Sequence, residues 1–215
     1  RHGIYIEGYP DGSFGPERGM TRAEAATIFA RLLAEKNGDN ISTVARSKFD
    51  DIPAHAWYSG YVKYLNNHGV AYGKTKTTFA PDDAITRAEY TALAVRFFEV
   101  YGDGSAEIME KYKSFDDVSE GDWAASYIQA AAKYGWVNGY EDGSFHPSRQ
   151  ITRAEVVTLT NRLLGRSADE VYVQEHLRQL NTFHDLSKRH WAYYEVMESA
   201  NAHTAVLGKN ETWSK

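Results

Sequence analysis

Four residues recur in the same order at nearly equal intervals: Thr21-Arg22-Ala23-Glu24, Thr86-Arg87-Ala88-Glu89 and Thr152-Arg153-Ala154-Glu155, spaced by 65 and 66 positions. Seven residues ahead of each Thr stands a Phe, at Phe14, Phe79 and Phe145. A second landmark is Phe49-Asp50-Asp51, then Phe115-Asp116-Asp117, then Phe183-His184-Asp185, and eight residues after each of these Phe comes Trp57, Trp123 or Trp191. Agreement in both identity and spacing means that one structural unit is used three times, so a core is built by stacking units.

One unit reads as a Phe-x-Asp landmark, a helix led by Trp, a turn rich in Gly and Tyr, the Thr-Arg-Ala-Glu motif and a second helix. First helices are expected at Trp57 to His68, Trp123 to Tyr134 and Trp191 to about His203, with Gly69 and Gly135 as stops. Trp123, Tyr127, Ile128 and Ala131 fall on one helical face. In the second helices, Ala25, Ile28, Phe29, Leu32 and Leu33 repeat the spacing of Val156, Leu159, Leu163 and Leu164.

The expected organisation is a single module over 1–215. Residues 1–36 hold the second half of a repeat, 49–101 and 115–165 are full repeats, and 183–215 hold a first half. Linkers fall at about 37–48, 102–114 and 166–182, the last with an extra helix within Val171 to Leu180. Three first helices and three second helices allow the two half-units to pair and close a threefold assembly. A linear solenoid with ragged ends is the rival arrangement. The start at Arg1, already inside a motif, reads as a piece of a longer chain.

Thr followed three residues later by Glu, ahead of an apolar-periodic run, is a capping box. Thr21, Glu24, Thr86, Glu89, Thr152 and Glu155 are therefore expected as structural caps, each box contributing about 1 kcal/mol. Capping leaves the Arg unexplained, because a cation at the first helical position opposes the helix dipole. Two explanations stay open: spare helix amides and a guanidinium bind an external anion, or the Arg pairs with Asp residues of a neighbouring unit. A second series, Arg31, Arg96 and Arg162, lies inside the helices and reads as structural ion pairs.

The turns Gly8-Tyr9-Pro10-Asp11-Gly12-Ser13-Phe14 and Gly139-Tyr140-Glu141-Asp142-Gly143-Ser144-Phe145 carry a hairpin signal. A calcium loop of the EF-hand type is rejected. With Gly12 or Gly143 as its sixth position, Tyr9 or Tyr140 falls at the third and Arg18 or Arg149 at the twelfth. The middle turn, Ala71 to Phe79, lacks Asp-Gly-Ser, and Val206-Leu207-Gly208-Lys209 departs from the pattern too.

The chain has no cysteine, which excludes disulfides and thiolate chemistry, and its eight histidines show no metal spacing. A formal charge of −5 with scattered Lys and Arg argues against a nucleic-acid partner. No run is apolar enough for membrane insertion. Distinctive residues come in threes rather than as a unique convergent set, which argues against catalysis. No cofactor and no metal are expected. The 15 Tyr and 5 Trp read mainly as fillers of small helical cores.

Together these motifs strongly resemble S-layer homology modules of bacterial surface proteins, over nearly the whole chain outside the linkers. The resemblance implies a mainly α fold of three helix–turn–helix repeats in a pseudo-threefold, three-lobed spindle with short hairpin turns. It implies an extracellular, non-catalytic module anchored to secondary cell-wall polysaccharide through the carboxylate of a pyruvylated amino sugar. Arg22, Arg87 and Arg153 match the family arginine that engages this group. Gly12, Ser13, Gly143 and Ser144 would approach the sugar, and Asp50, Asp116 and Asp185, or Asp51 and Asp117, would take its hydroxyls or cap the first helix. Trp57, Trp123 and Trp191 would stack on a sugar face or, opening each helix on its apolar side, anchor the core. The alternative is a protein-interaction or self-association module at the bacterial surface.

Overall fold

A computed structural model describes residues 1–102, 107–208 and 210–215. Positions 103–106 of the middle linker, and Lys209 in the last departing turn, lie outside the described residues. The described chain is mainly helical, with one two-stranded hairpin. It divides into two compact units, Gly19–Ile151 and Arg1–Arg18 with Thr152–Lys215.

The Gly19–Ile151 unit holds α1 (Arg22–Asn37), α2 (Ser59–Asn67), α3 (Arg87–Tyr101) and α4 (Ala125–Lys133). α1 packs on both α2 and α3, and α4 on α3. The apolar spacing within each helix supplies the interface: Phe29 is fully buried against Tyr90 and Phe97, at ring separations of 5.3 and 4.7 Å. The long helices begin at capping boxes, which set their first residues. Gly69 and Gly135 end the short ones in the left-handed region, at φ 72° and 76°, where a side chain would be strained.

The second unit holds α5 (Arg153–Leu164), α6 (Glu170–Glu175), a 3₁₀ turn (Leu177–Gln179), α7 (Tyr193–Ala200) and the hairpin β1 (Thr204–Val206) and β2 (Thr212–Ser214). The hairpin is antiparallel, with Ala205 opposite Trp213. The stretch read as an extra helix is helical as α6 plus the 3₁₀ turn. α7 packs on α5, and the N-terminal segment runs beside it, with Tyr5 N–H donating to Ser199 O at 3.2 Å and His2 bridging His203. The partner helix of the 183–215 segment is thus α5. Its turn comes from residues 8–15, where Phe14 meets Phe183 at 5.2 Å. The same ring pair recurs as Phe49 with Phe79 at 5.4 Å and Phe115 with Phe145 at 5.2 Å.

The first helices start later than the tryptophans. Trp57, Trp123 and Trp191 sit in the turns ahead of α2, α4 and α7, out of helical phase, and are 54%, 61% and 64% exposed. They are not core anchors. The buried place belongs to the following residue, Tyr58, Ala124 or Ala192, while Ile128 and Ala131 keep the apolar face of α4.

Candidate carbohydrate site

Each site is built on a turn that its sequence determines. In Tyr9-Pro10-Asp11-Gly12-Ser13, Gly12 N–H donates to Tyr9 O at 3.0 Å and Tyr9 N–H to Ser13 O at 2.7 Å. Gly12 takes φ 86° as the left-handed residue of a three-residue hairpin loop. Tyr140 to Ser144 repeats both bonds, at 3.1 and 2.8 Å, with Gly143 at φ 85°. Asp11 accepts from both the amide and hydroxyl of Ser13, at 2.9 and 2.6 Å, and these bonds hold its carboxyl below the ordinary value. Asp142 and Ser144 do the same. Gly12, Ser13, Gly143 and Ser144 thus have a turn-forming role in this structure. In the middle copy, the hydroxyl of Thr75 takes the acceptor role, from Thr77 and Thr78 amides at 3.3 and 3.0 Å.

The Asp two residues after each landmark Phe clamps the turn. Asp51 accepts from the Phe79 and Ala80 amides at 2.9 and 2.7 Å, Asp117 from Phe145 and His146 at 2.8 Å each, and Asp185 from Phe14 and Gly15 at 2.8 Å each. The structural equivalents are therefore Asp51, Asp117 and Asp185, not Asp50, Asp116 and Asp185. Position 50 aligns with 116 and 184, whose amides donate to Thr77, Gly143 and Gly12 carbonyls. The clamp holds Ala80 and His146 at φ 58° and 56°, in the left-handed region that costs an L-residue roughly 1 kcal/mol or more. None of these aspartates caps a first helix.

The three boxes have their reciprocal bonds. Thr21, Thr86 and Thr152 accept from the Glu24, Glu89 and Glu155 amides at 3.1, 3.1 and 3.2 Å, and each Thr amide donates in return to its Glu carboxylate. The next amides, read from sequence as spare, are used. Arg22, Arg87 and Arg153 N–H donate to Asp83, Arg149 and Arg18 carbonyls, and Ala23, Ala88 and Ala154 N–H to Pro81, Pro147 and Pro16. These helix N-termini therefore have no free amides to offer an anion.

The arginine side chains are buried staples. Arg22 Nε donates to Phe79 O at 2.8 Å, Arg87 Nε to Phe145 O at 2.8 Å, and Arg153 Nε to Phe14 O at 2.9 Å. Each guanidinium also lies 4.6–4.8 Å from the ring of the same Phe. Each arginine so serves a turn in a neighbouring repeat rather than the turn preceding it in sequence, and Arg22 is the one on the variant middle turn. It also pairs with Glu89 and donates to Tyr72 O at 3.2 Å, so its ionic partner is a Glu of the next capping box rather than an Asp. Of the inner series, Arg31 lies over Tyr61 at 5.2 Å and Arg96 between Tyr72 and Tyr127 at 4.4 and 4.6 Å. Among the described residues, ring contacts take the place of the expected ion pairs for these two.

Within the Gly19–Ile151 unit, Arg22, Tyr72, Glu89 and Arg96 border a cleft of about 770 Å³. Arg22, Lys74 and Arg96 bring positive charge to it, Glu89 and Asp117 carboxylates, and Tyr72 and the exposed Trp123 aromatic faces. Lys74 is exposed and held 2.9 Å from Asp83. An aromatic plane beside mixed charged and hydroxyl groups can seat a sugar ring and orient an acidic substituent. Sequence reasoning gave Tyr72 and Lys74 no place here, since the middle turn lacks Asp-Gly-Ser, and read Arg96 only as a structural ion pair.

Among the described residues no helix is long and apolar enough to cross a membrane. The family described as "S-layer homology domain" matches at residues 1–26, 48–91 and 114–157. Cell surface glycoprotein 1 of Acetivibrio thermocellus is 35% identical over 96% of this chain, which spans 9% of that protein. The cellulosome-anchoring protein of the same organism is 35% identical over 97% of this chain and 44% of its own length. The surface-layer 125 kDa protein of Lysinibacillus sphaericus is 32% identical over 74% of this chain and 13% of its own length. The chain spans less than half of each of these relatives. Three matched repeats and relatives at this identity leave one conclusion: the chain belongs to the S-layer homology domain family.

Proposed function

We propose that this chain is a non-catalytic anchoring module that works outside the cell and holds its parent protein to the bacterial cell wall by binding an acidic polysaccharide. Membership of the family and the surface-anchoring names of its relatives support the coarse reading. The observation that carries the finer one is the exposed indole of Trp123 in the same cleft as Arg22 and Lys74. The sugar face stacks on Trp123, and a pyruvate ketal places its carboxylate against Arg22 and Lys74. Three of the five guanidinium N–H groups of Arg22 serve Phe79, Tyr72 and Glu89, so two remain for the ligand. Arg87 and Arg153, with Trp57 and Trp191, extend the reading to the other repeats.

Because the protein is net negative, long-range attraction does not recruit an anionic glycan, and local contacts must. Co-sedimentation with purified cell walls, before and after chemical removal of pyruvate, tests the reading. Retention of wild type by intact walls and its loss after depyruvylation are expected. Equal retention on both would overturn the carboxylate mechanism, and no retention on either would overturn wall anchoring in favour of a protein partner.

A further inference from the structure

Four side chains of the Arg1–Arg18 and Thr152–Lys215 unit bring one ligating atom each to a common buried spot, all within 4.8 Å of one another. His2 comes from the N-terminal segment, Glu198 from α7, His203 from the residue before β1, and Glu211 from the residue before β2. An antiparallel bridge, with N–H groups donated both ways at 2.9 and 3.1 Å, juxtaposes His2 and His203. They are 201 residues apart in sequence, so histidine spacing cannot show the set.

Hydrogen bonding fixes what these atoms present. His203 Nδ1 lies 2.8 Å from Asn201 O, which only accepts, so Nδ1 carries a proton and, in the neutral ring, Nε2 presents a lone pair. That Nε2 lies 3.1 Å from Glu198 Oε2, 3.2 Å from His2 Nδ1 and 3.4 Å from Glu211 Oε1. His2 Nδ1 lies 3.0 Å from Glu198 Oε1 and 3.3 Å from Glu211 Oε1. Glu198 is fully buried, and its Oε2 has no hydrogen-bond donor among the described residues. Lone pairs facing one another in a dry site repel, and a buried carboxylate without compensation is costly. A positive centre among them removes both penalties.

The spacing suits a metal ion. Ligand bonds of about 2.0–2.1 Å in a tetrahedron put neighbouring ligand atoms about 3.3 Å apart. His2 Nδ1, His203 Nε2 and Glu211 Oε1 form one face at 3.2, 3.3 and 3.4 Å, and the Glu198 carboxylate reaches it through Oε1 at 3.0 Å from His2 and Oε2 at 3.1 Å from His203. The surroundings hold the ligands in place. Trp213 Nε1 and Ser167 N–H donate to Glu211 at 2.9 and 3.0 Å, Asn201 O orients His203, and the Trp213 ring stacks on His203 at 3.7 Å. Outer contacts of this kind orient metal-ligating side chains.

We propose that His2, Glu198, His203 and Glu211 form a closed structural site for a divalent transition-metal ion of zinc-like preference. Two carboxylates balance the two charges of the ion, so no net charge is buried. Four protein ligands leave no open position for water or substrate, which makes the site a clasp rather than a catalyst. It ties the N-terminal segment, α7 and the C-terminal hairpin together. The rival occupant is a proton shared among the same groups.

The test takes the full chain, stripped with EDTA and then given Zn²⁺ or Co²⁺ near neutral pH. One Zn²⁺ per chain retained through gel filtration, a Tm several degrees above that in EDTA, and intense visible Co²⁺ bands of tetrahedral type are expected. Glu198→Gln should lose all three, and His55→Ala, an exposed histidine elsewhere, should keep them. A folded wild type that retains no Zn²⁺ and melts unchanged overturns the site in favour of the shared proton. Equal retention by Glu198→Gln overturns it in favour of exposed histidines. Should Glu198→Gln fail to fold, the wild-type Co²⁺ spectrum decides, since weak octahedral-type absorption or none contradicts a closed tetrahedral site.

Discussion

The repeated residues divide their labour differently from what their spacing implies. Arg22, Arg87 and Arg153 are buried and bonded to carbonyls, whereas Trp57, Trp123 and Trp191 stand in solvent. Trp123→Ala should therefore leave stability within about 0.5 kcal/mol of wild type, yet weaken wall binding about tenfold, or ~1.4 kcal/mol. Thermal melts with co-sedimentation check both parts, and full retention by the variant would remove the indole from the site. Alanine at all three arginines removes turn contacts along with charge, so Arg22→Lys is the better probe. It keeps a cation and loses the planar fork. The clamping aspartates allow a pH prediction. Burial pushes the Asp117 and Asp185 carboxyls up, but backbone N–H bonds outweigh it and hold both below the ordinary 3.8. A depressed folded-state value contributes stability above the unfolded value, and that contribution is lost as pH falls through the lower folded value. Urea melts across this acid window should show stability rising with pH to a plateau. Asp117→Asn and Asp185→Asn should each flatten part of the rise and cost about 1–3 kcal/mol near neutrality. An unchanged pH slope in both variants would mean that the clamps do not contribute.

At the level of elements, sequence reading works where one local interaction determines the outcome. Thr-x-x-Glu ahead of an apolar run sets the starts of α1, α3 and α5 at Arg22, Arg87 and Arg153, because a capping box is closed within four residues. Thr152→Ala should lower stability by about 1 kcal/mol, read as a lower Tm of the domain, while wall binding persists. An unchanged Tm would show that the reciprocal bonds of Thr152 and Glu155 carry no net stability. Legibility fails where a residue's partner lies a repeat away. Nothing local tells whether Asp50 or Asp51 clamps the turn, since the answer lies in the amides of Phe79 and Ala80. Nor does the chain announce that Arg22 serves the Phe79 turn rather than the Phe14 turn that precedes it. Trp123 misleads for another reason: helical phase assigns it to a face, but α4 begins two residues later.

At the scale of the whole chain, the half-units at its two ends matter most. Residues 183–215 supply α7, the only described helix packed on α5 with substantial contact, and Asp185, which holds the Phe14 and Gly15 amides. Residues 1–18 supply the turn that Asp185 clamps, and Tyr5, whose hydroxyl reaches Asn161 Oδ1 on α5 at 2.5 Å. The helix that loses its cover on truncation at residue 182 is accordingly α5, not the 20–36 helix that counting half-units suggests. Val156, Val157 and Leu159 are buried with it, and exposing large apolar side chains costs roughly 1.5–3 kcal/mol each. Marginal domains hold only about 5–15 kcal/mol in total. Deleting 183–215 should thus unfold the 1–18 and 152–182 segments or drive aggregation, seen as early proteolysis after residue 152 and as a Tm loss of many degrees. A truncated chain that stays monomeric, protease-resistant and equally stable would show that α5 needs no α7, and that the two ends of the sequence fold independently of each other.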